Sequence, residues 1–343
     1  MSEAPRIARV DPAAGICGGE VRVAYAGVSR QASRSVRFLF AGEPAHIRAA
    51  GRGHALVSIP DLTAEGKIGI ALVAGRSRTS APVDFIFGRR LTASVHPVTN
   101  PTFDPRDGSL YVTRSGSRGE RVPVSIFRIA ADGTIENFSS DVVNPTAIAF
   151  GRTDRMFVSS RFDGNVYRIG SDGQAVAFAA DLGIATGLAF NRSGDMFVGD
   201  RDGTIFRVNE IGEAKPWVQH EPSVSAYHLA FGPDDSLYVT GPTVCSFDSI
   251  TRFDAEGKAS RFYHGLGRPQ GMAFDRDGSL YVAASLRGRR GIVRISPDGS
   301  DAQLVVAAMS IVGLAFGPGG EMALATNEAV YTLPLGIYGT LLE

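Results

Sequence analysis

An all-β chain, a set of short strands followed by a ring of repeated four-stranded units, is the fold this sequence predicts. Three observations carry that expectation. A residue at the centre of a short apolar run recurs as Tyr111, Phe157, Phe197, Tyr238, Tyr281 and Ala323, a period of about forty residues that marks a propeller or a similar array. Turn pairs such as Asp107-Gly108, Ser193-Gly194 and Asp277-Gly278 separate the runs and supply the positive φ of tight antiparallel turns. Finally, apolar residues at helical spacing are scarce while glycine reaches 41 of 343 residues, and both argue against helix.

Each copy contains the same four pieces, and the stretch from Arg268 to Gly299 shows them most clearly. The first strand is small and apolar: TAIAF (146–150), TGLAF (186–190), YHLAF (227–231), QGMAF (270–274) and VGLAF (312–316). Small residues fit there because inner strands crowd around an axis. Second strands read LYV, MFV, MFV, LYV, LYV and MAL, and third strands read SIFRI, NVYRI, TIFRV, SITRF, GIVRI and AVYTL. After a turn such as Asp132-Gly133, Asp172-Gly173 or Asp298-Gly299, a more polar outer strand follows. The sixth copy stops after 329–335 without an outer strand, while LTASV (91–95) precedes the first copy with nothing to pair to. Open sheet edges invite aggregation, so the N-terminal strand is expected to complete the sixth unit and close residues 89–343 into a six-bladed β-propeller.

Residues 5–88 lack the repeat and read as about seven short strands: RIARV, EVRVAYAG, SVRFLF, PAHIRAA, HALVSIP, KIGIALVAG and VDFIFG. Strands at that density predict a β-sandwich over residues 1–88. The run PRIARVDPAAGICGGEVRVAYAG resembles the TIG (IPT) domain, an immunoglobulin-like module, with Pro5 starting an edge strand and Asp11-Pro12, Gly15, Gly18 and Gly19 forming the long turn into the second strand. Such modules serve transcription factors, receptors and enzymes, so the resemblance implies fold rather than function. Arg30, Arg34 and Arg37 lie close together in one loop and strand. Without interleaved aromatics or a wider basic face, they read as solvated charge rather than a nucleic-acid contact.

Lysine plus arginine equals aspartate plus glutamate at 35 each, so charge gives no case for a nucleic-acid or anionic-membrane partner. The N-terminal MSEAPRIARVDP is no signal sequence and no apolar run approaches membrane-spanning length, which makes a cytoplasmic protein the expectation. Cys17 and Cys245 fall in different expected domains, so no disulfide is predicted.

The segments DRDGSLYVAAS and DGNVYRIGSDGQ carry a second resemblance, covering residues 89–343, to six-bladed propellers of the NHL-repeat and SMP-30/gluconolactonase-like group. That group includes lactonases, strictosidine-synthase-like proteins, peptide and RNA binders, and scaffolds. Its lactonases hold a divalent cation with one Glu and several Asn or Asp at the starts of inner strands. The matching columns here are Pro145-Thr146, Ala185-Thr186, Ala226-Tyr227, Pro269-Gln270 and Ile311-Val312, with Asn100 near the first. They lack the anionic oxygens a hard cation needs, so no cofactor is expected and a Ca site is disfavoured.

Loops into each first strand and loops between second and third strands share one propeller face, where ligands bind. From the first set the candidates are Asn100, Asn144, Thr146, Tyr227, His228, Arg268 and Gln270; from the second, Arg114, Arg161, Asp200, Arg201, Cys245, Asp248, Ser285 and Asn327. His228 stands in a column otherwise held by Gly or Ala. It is a ligand-binding donor, or the base of a set with Cys245 as nucleophile and Asp248 as orienter, or an imidazole capping a backbone carbonyl. The repeated arginines Arg128, Arg168, Arg207, Arg252 and Arg294 are assigned a repeated structural contact with turn acids or neighbouring backbone. The longer loops, 114–123 and 286–291, exceed what connection requires and are expected binding elements. Taken together, the residues predict a binding protein that recognises a small ligand or protein partner at the axis, the alternative being a lactonase-type hydrolase with an atypical site.

Overall fold

The computed structural model describes residues 4–29, 35–75, 78–245 and 247–340. Within them the chain is all-β, with no helix long and apolar enough to cross a membrane. Arg30 and Arg34 lie outside the described residues; Arg37 is exposed on strand Val36–Phe40.

The N-terminal part forms two sheets over one core. Strands Arg6–Asp11, Glu20–Ala26, His54–Ser58 and His46–Gly51 pair antiparallel in that order, while Val36–Phe40, Gly66–Ala74 and Val83–Phe87 pair antiparallel in the facing sheet. Period-two alternation explains the arrangement. In Glu20–Ala26 the inward residues Val21, Val23 and Tyr25 are buried, and in Val36–Phe40 so are Val36, Phe38 and Phe40.

From residue 89 the chain builds antiparallel meanders, named here units one to six. Unit one comprises Thr102–Phe103, Leu110–Thr113, Ile126–Ile129 and Ile135–Ser139. Unit two comprises Pro145–Phe150, Met156–Ser160, Val166–Ile169 and Ala175–Ala179, and unit three Ala185–Phe190, Met196–Asp200, Thr204–Val208 and Ala214–Gln219. Unit four comprises His228–Phe231, Leu237–Thr240, Asp248–Phe253 and Ala259–Gly267; unit five Met272–Phe274, Leu280–Leu286, Arg289–Ile295 and Ala302–Ala307. Unit six has Ile311–Phe316, Glu321–Thr326 and Ala329–Pro334, and its fourth strand is Arg89–Ala93 from the other end of the chain, registered Arg89 to Thr332 and Ala93 to Ala329. That strand begins two residues before the LTASV run. First strands touch their successors from unit to unit, and Thr102–Phe103 touches both Pro145–Phe150 and Ile311–Phe316, so the ring is closed.

Aromatic packing explains the repeat. The second-strand ring of each of the first five units meets the last residue of the next unit's first strand: Tyr111 with Phe150, Phe157 with Phe190, Phe197 with Phe231, Tyr238 with Phe274 and Tyr281 with Phe316, at 4.8–5.9 Å between centroids. Outer-strand rings Phe138, Phe178, Trp217 and Phe262 cover the other side of the first four. Edge-on and tilted contacts of this kind add to the stabilisation from burial alone.

The two parts are joined without a free linker. Ala14–Gly15 pairs in parallel with both Val83–Phe87 and, through Gly15 and Ala307, the outer strand of unit five. Ala14 and Ile16 pack into one core with Ile292, Val306 and Leu333. At the junction Gly88 has no room for a side chain: a Cβ there would stand 2.7 Å from Ile16 and 3.0 Å from Leu333. The long loop of unit five, expected to bind, is a continuing hairpin turning at Arg287-Gly288, both at positive φ. Its Arg289 pairs with Asp11 at 2.9 Å and donates to the Asp11 carbonyl at 2.8 Å, so this hairpin clasps the N-terminal part.

Candidate functional site

In an antiparallel meander the start of the first strand, the end of the second and the start of the third lie at one end, so all candidate residues share one face of the ring. Hydroxyls stitch its mouth together. Thr99 Oγ1 donates to the Thr146 carbonyl at 2.7 Å, Ser159 Oγ to that of Thr186 at 2.9 Å and Thr240 Oγ1 to that of Gln270 at 2.7 Å, while Thr186 Oγ1 accepts from Tyr227 N at 3.0 Å. Counting back from the first-strand aromatic, Thr99, Thr146, Thr186, Tyr227, Gln270 and Val312 form one column and Asn100, Ala147, Gly187, His228, Gly271 and Gly313 the next.

Asn100 and His228 are the large members of that second column, on units three apart. The Asn100 amide donates to the Met272 carbonyl at 2.9 Å and accepts from Leu314 N at 3.1 Å. It thereby ties unit one to units five and six. Gly313 makes this possible, since a Cβ there would stand 2.6 Å from the Asn100 backbone. His228 is 4% exposed and its Nε2 has no partner; burial pushes its pKa from 6.5 down to about 3, so the imidazole is neutral at working pH.

His228 is one of a group. Among the described residues, the buried side-chain polar atoms without a hydrogen-bond partner are Arg161 Nε, Tyr227 Oη, His228 Nε2, Asp248 Oδ2, Gln270 Oε1 and Arg290 Nε. Every one lies at a first-strand start, a second-strand end or a third-strand start, and therefore on the same face. Buried polar atoms are normally satisfied, so their segregation to one end is information. Burial raises the Tyr227 phenol, with the Glu221 and Asp200 carboxylates adding to the effect.

The remaining candidates divide by their partners. Asn144, wholly buried at φ 47°, donates to the Gly116 and Ser117 carbonyls at 3.0 and 2.9 Å and accepts from Gly119 N at 2.7 Å, which fixes the long loop of unit one. Asp200 Oδ1 accepts from Ile184 N at 2.8 Å and Asp202 N at 3.2 Å. These two side chains spend their hydrogen bonds on the fold. Asp248 Oδ1 accepts from Thr243 N and Oγ1 at 3.1 and 2.7 Å. Cys245 is exposed, its backbone N bound to Thr243 Oγ1. Among the described residues no hydrogen bond links His228, Cys245 and Asp248.

Arg114, Arg161 and Asn327 do come together. They line a cleft of about 540 Å³ with Ser94, His96, Ser115, Ser117, Glu120 and Glu328. His96 Nδ1 lies 3.0 Å from the Asn327 carbonyl. The loops that rim this face of the ring carry exposed apolar side chains, Phe162, Val224, Val244, Phe247 and Met309. Sequence reasoning missed Arg290 and His96. The arginine-rich run of the fifth copy was the available signal for Arg290; nothing in the repeat marks His96.

The donor set does not fit the divalent cation of the resembling lactonases. Among the described residues no three of His, Cys, Asp and Glu gather into a group able to hold a metal ion, and the mouth column offers hydroxyls, one amide and a valine in place of carboxylates.

No protein-family model and no curated protein matches the chain. Solved structures do. A gluconolactonase from Xanthomonas campestris is 16% identical over 71% of this chain and 88% of that one, with TM-score 0.59. The calcium-binding protein regucalcin from Agrobacterium tumefaciens is 18% identical over 75% and 97%, with TM-score 0.58. An auxiliary nutrient binding protein from Bacteroides ovatus is 14% identical over 96% and 98%, with TM-score 0.55, and so extends over the N-terminal part as well. At these identities the likeness shows a β-propeller fold.

Proposed function

We propose that residues 1–88 are an immunoglobulin-like sandwich of the TIG/IPT type, that residues 89–343 are a six-bladed propeller closed by its N-terminal strand, and that the protein binds a small ligand or protein partner on the face carrying Arg161, Tyr227, His228 and Gln270. Six meanders in contact around a closed ring among the described residues support the blade count. The functional reading rests on the six unpartnered buried polar atoms at that face. Each costs about 1–3 kcal/mol if left unsatisfied, and a chain that satisfies its polar groups at the other end retains these only where something else meets them. Small-molecule sites combine apolar walls with a few converging polar groups, which is what the rim and the mouth column provide. The fold likeness to an auxiliary nutrient binding protein supports a binding reading.

A thermal-shift screen of polar metabolites against the full chain, repeated on Gln270→Leu and Tyr227→Phe, tests the reading. A ligand should raise the melting temperature of the unaltered protein and lose that effect in at least one variant. A ligand bound equally by both variants and by the unaltered chain would move the site elsewhere. The lactonase alternative draws support from the gluconolactonase neighbour's fold. Any lactone hydrolysis by this protein should survive chelator, because the mouth lacks a carboxylate cage; chelator-sensitive turnover by folded protein would overturn that assignment.

A further inference from the structure

The cleft beside Arg161 has the chemistry of a specific ligand end. Arg161 follows strand Met156–Ser160, with its guanidinium half-buried. Of its five N–H donors one has a partner among the described residues: Nη2 donates to the Gly116 carbonyl at 3.0 Å. Nε is buried without a partner, and among the described residues no carboxylate forms an ion pair with the group. Arg114 lines the same cleft and forms no ion pair among the described residues, though its charge acts on Glu120. Arg201, on the equivalent loop of unit three, donates Nε to the Ser223 carbonyl at 3.3 Å and leaves its other donors free.

The electrostatics agree with the geometry. Burial and the nearby Arg201 and Arg118 charges lower the affinity of Arg161 for its proton, and no acid counters them. The acids of the cleft are placed otherwise. Glu120 Oε2 accepts from Ser117 N at 2.7 Å and Glu328 is exposed beside Asn327. A half-buried arginine that is repelled by two others and answered by no carboxylate is an uncompensated cation. The planar guanidinium fork suits the paired oxygens of a carboxylate or phosphate.

Resting on the binding reading above, we propose that the cleft formed by Arg114, Arg161, Ser115 and Ser117 holds the carboxylate or phosphate group of a small ligand, with Arg161 as its principal contact. Ser115 provides a hydroxyl donor beside it, while Ser117 is engaged by Glu120. Glu120, held on Ser117 and within reach of the Arg114 charge, and the exposed Glu328 border the same cleft, where they accept from hydroxyl or ammonium groups of the ligand.

Calorimetric titration of the full chain at low salt with sodium phosphate and, separately, sodium malonate tests this, the two arms telling a phosphate site from a carboxylate site. At least one anion should bind at millimolar concentration or tighter. Arg161→Gln should weaken it by about tenfold or more, as loss of a charge-assisted hydrogen bond does. Arg161→Lys should recover part of the loss by keeping the charge without the fork. Arg168→Gln, on the outer surface, should bind like the unaltered protein. Melting curves establish that each variant is folded. Binding of neither anion to the unaltered chain, or equal binding by folded Arg161→Gln, overturns the anion site. If a neutral ligand from the screen is still lost with Gln270→Leu, the face remains the binding surface and only the anion assignment fails.

Discussion

The two ends of the ring are built from the same repeat and treat their polar groups in opposite ways. At the end carrying the first-to-second strand turns, most units pair a turn acid with an arginine of the turn or of the third strand. Asp104 takes Arg106 through three hydrogen bonds, Asp107 and Glu136 hold Arg128 at 2.8 Å each, Asp195 holds Arg207 and Asp234 holds Arg252. The axis opens there into a largely apolar channel of about 290 Å³ lined by Phe103, Phe150, Phe190, Phe231, Phe274 and Phe316. At the opposite end, six buried polar atoms have no partner. Turn acids and strand arginines recur with the repeat and pair in most units; the unpartnered buried atoms stand where the copies diverge. Both ends join neighbouring units, and the unpartnered end is the one proposed above to meet a ligand.

That division presupposes ring closure, so the largest expected effect is its loss. A chain lacking residues 1–98 has no fourth strand for unit six and should fail to fold, giving no cooperative melting transition. A chain lacking residues 1–88 keeps Arg89–Ala93. It should fold, at a lower melting temperature than the full protein, because it uncovers the apolar surface of Ile292, Val306 and Leu333 that Ala14 and Ile16 bury. Equal melting of the two truncations would show that Arg89–Ala93 does not close the ring.

A pair of aromatic substitutions contrasts the two ends directly. Phe274 stacks edge-on against Tyr238 at 4.8 Å at the satisfied end, and Phe274→Ala should cost about 3–5 kcal/mol in denaturant unfolding. Tyr227 is 1% exposed at the other end, but its hydroxyl has no partner. Tyr227→Phe should change stability by under about 0.5 kcal/mol, or raise it, since it removes a buried orphan. A large loss in Tyr227→Phe would mean that the hydroxyl is satisfied within the fold, and the contrast between the ends would weaken.

The ring was legible in the sequence because its determinants are local and repeated. The column from Tyr111 to Ala323 marks inter-unit packing, and the orphan third strand of the sixth copy required a partner strand near residue 90. The N-terminal strands were legible from alternation. The docking of the two parts was not: Gly15 against Ala307 and Arg289 against Asp11 are contacts between residues hundreds of positions apart, with no period to reveal them. The candidate positions could be drawn from the sequence, because loop position in the repeat gave Arg161 and Gln270 and divergence from its column gave His228. The hydrogen-bond partners that assign Asn100, Asn144 and Asp200 to the fold depend on atoms of neighbouring loops. No column of residue types contains that information.

Acid sharpens the comparison because a buried imidazole stands only at the unsatisfied end. The folded pKa of His228 is depressed to about 3 from an ordinary 6.5, so between those values the unfolded chain binds a proton that the folded one does not. Its contribution to stability is therefore intact above about pH 6.5 and is lost as the pH falls toward 3. Burial shifts His220 in the same direction, with Glu221 opposing. The stability difference between His228→Asn and the unaltered protein should shift in favour of the variant as the pH drops from 7 to 4. A difference independent of pH would place a proton-stabilising partner on His228.

The smallest effect belongs to the repeated strand arginines and tests how much the satisfied end depends on its ion pairs. Their expected shared contact is present in Arg128, Arg207 and Arg252, which pair with turn acids, whereas Arg294 donates to Ser279 Oγ at 2.9 and 3.1 Å. Arg168 departs from the column: it is exposed and forms no ion pair among the described residues. Its counterpart turn has Thr153 and Asp154 at φ 53°, and no carboxylate reaches the arginine. Arg168→Gln should therefore leave unfolding free energy unchanged within error, in place of the cost that a uniform column implied. Arg128, held by two acids and with its side chain 28% exposed, should lose no more than about 1 kcal/mol in Arg128→Gln, since solvent-screened pairs contribute little. A cost in Arg168→Gln equal to that in Arg128→Gln would show that the arginines act through their aliphatic stems packed on the strand surface, and the ion pairs of the satisfied end would then contribute nothing measurable.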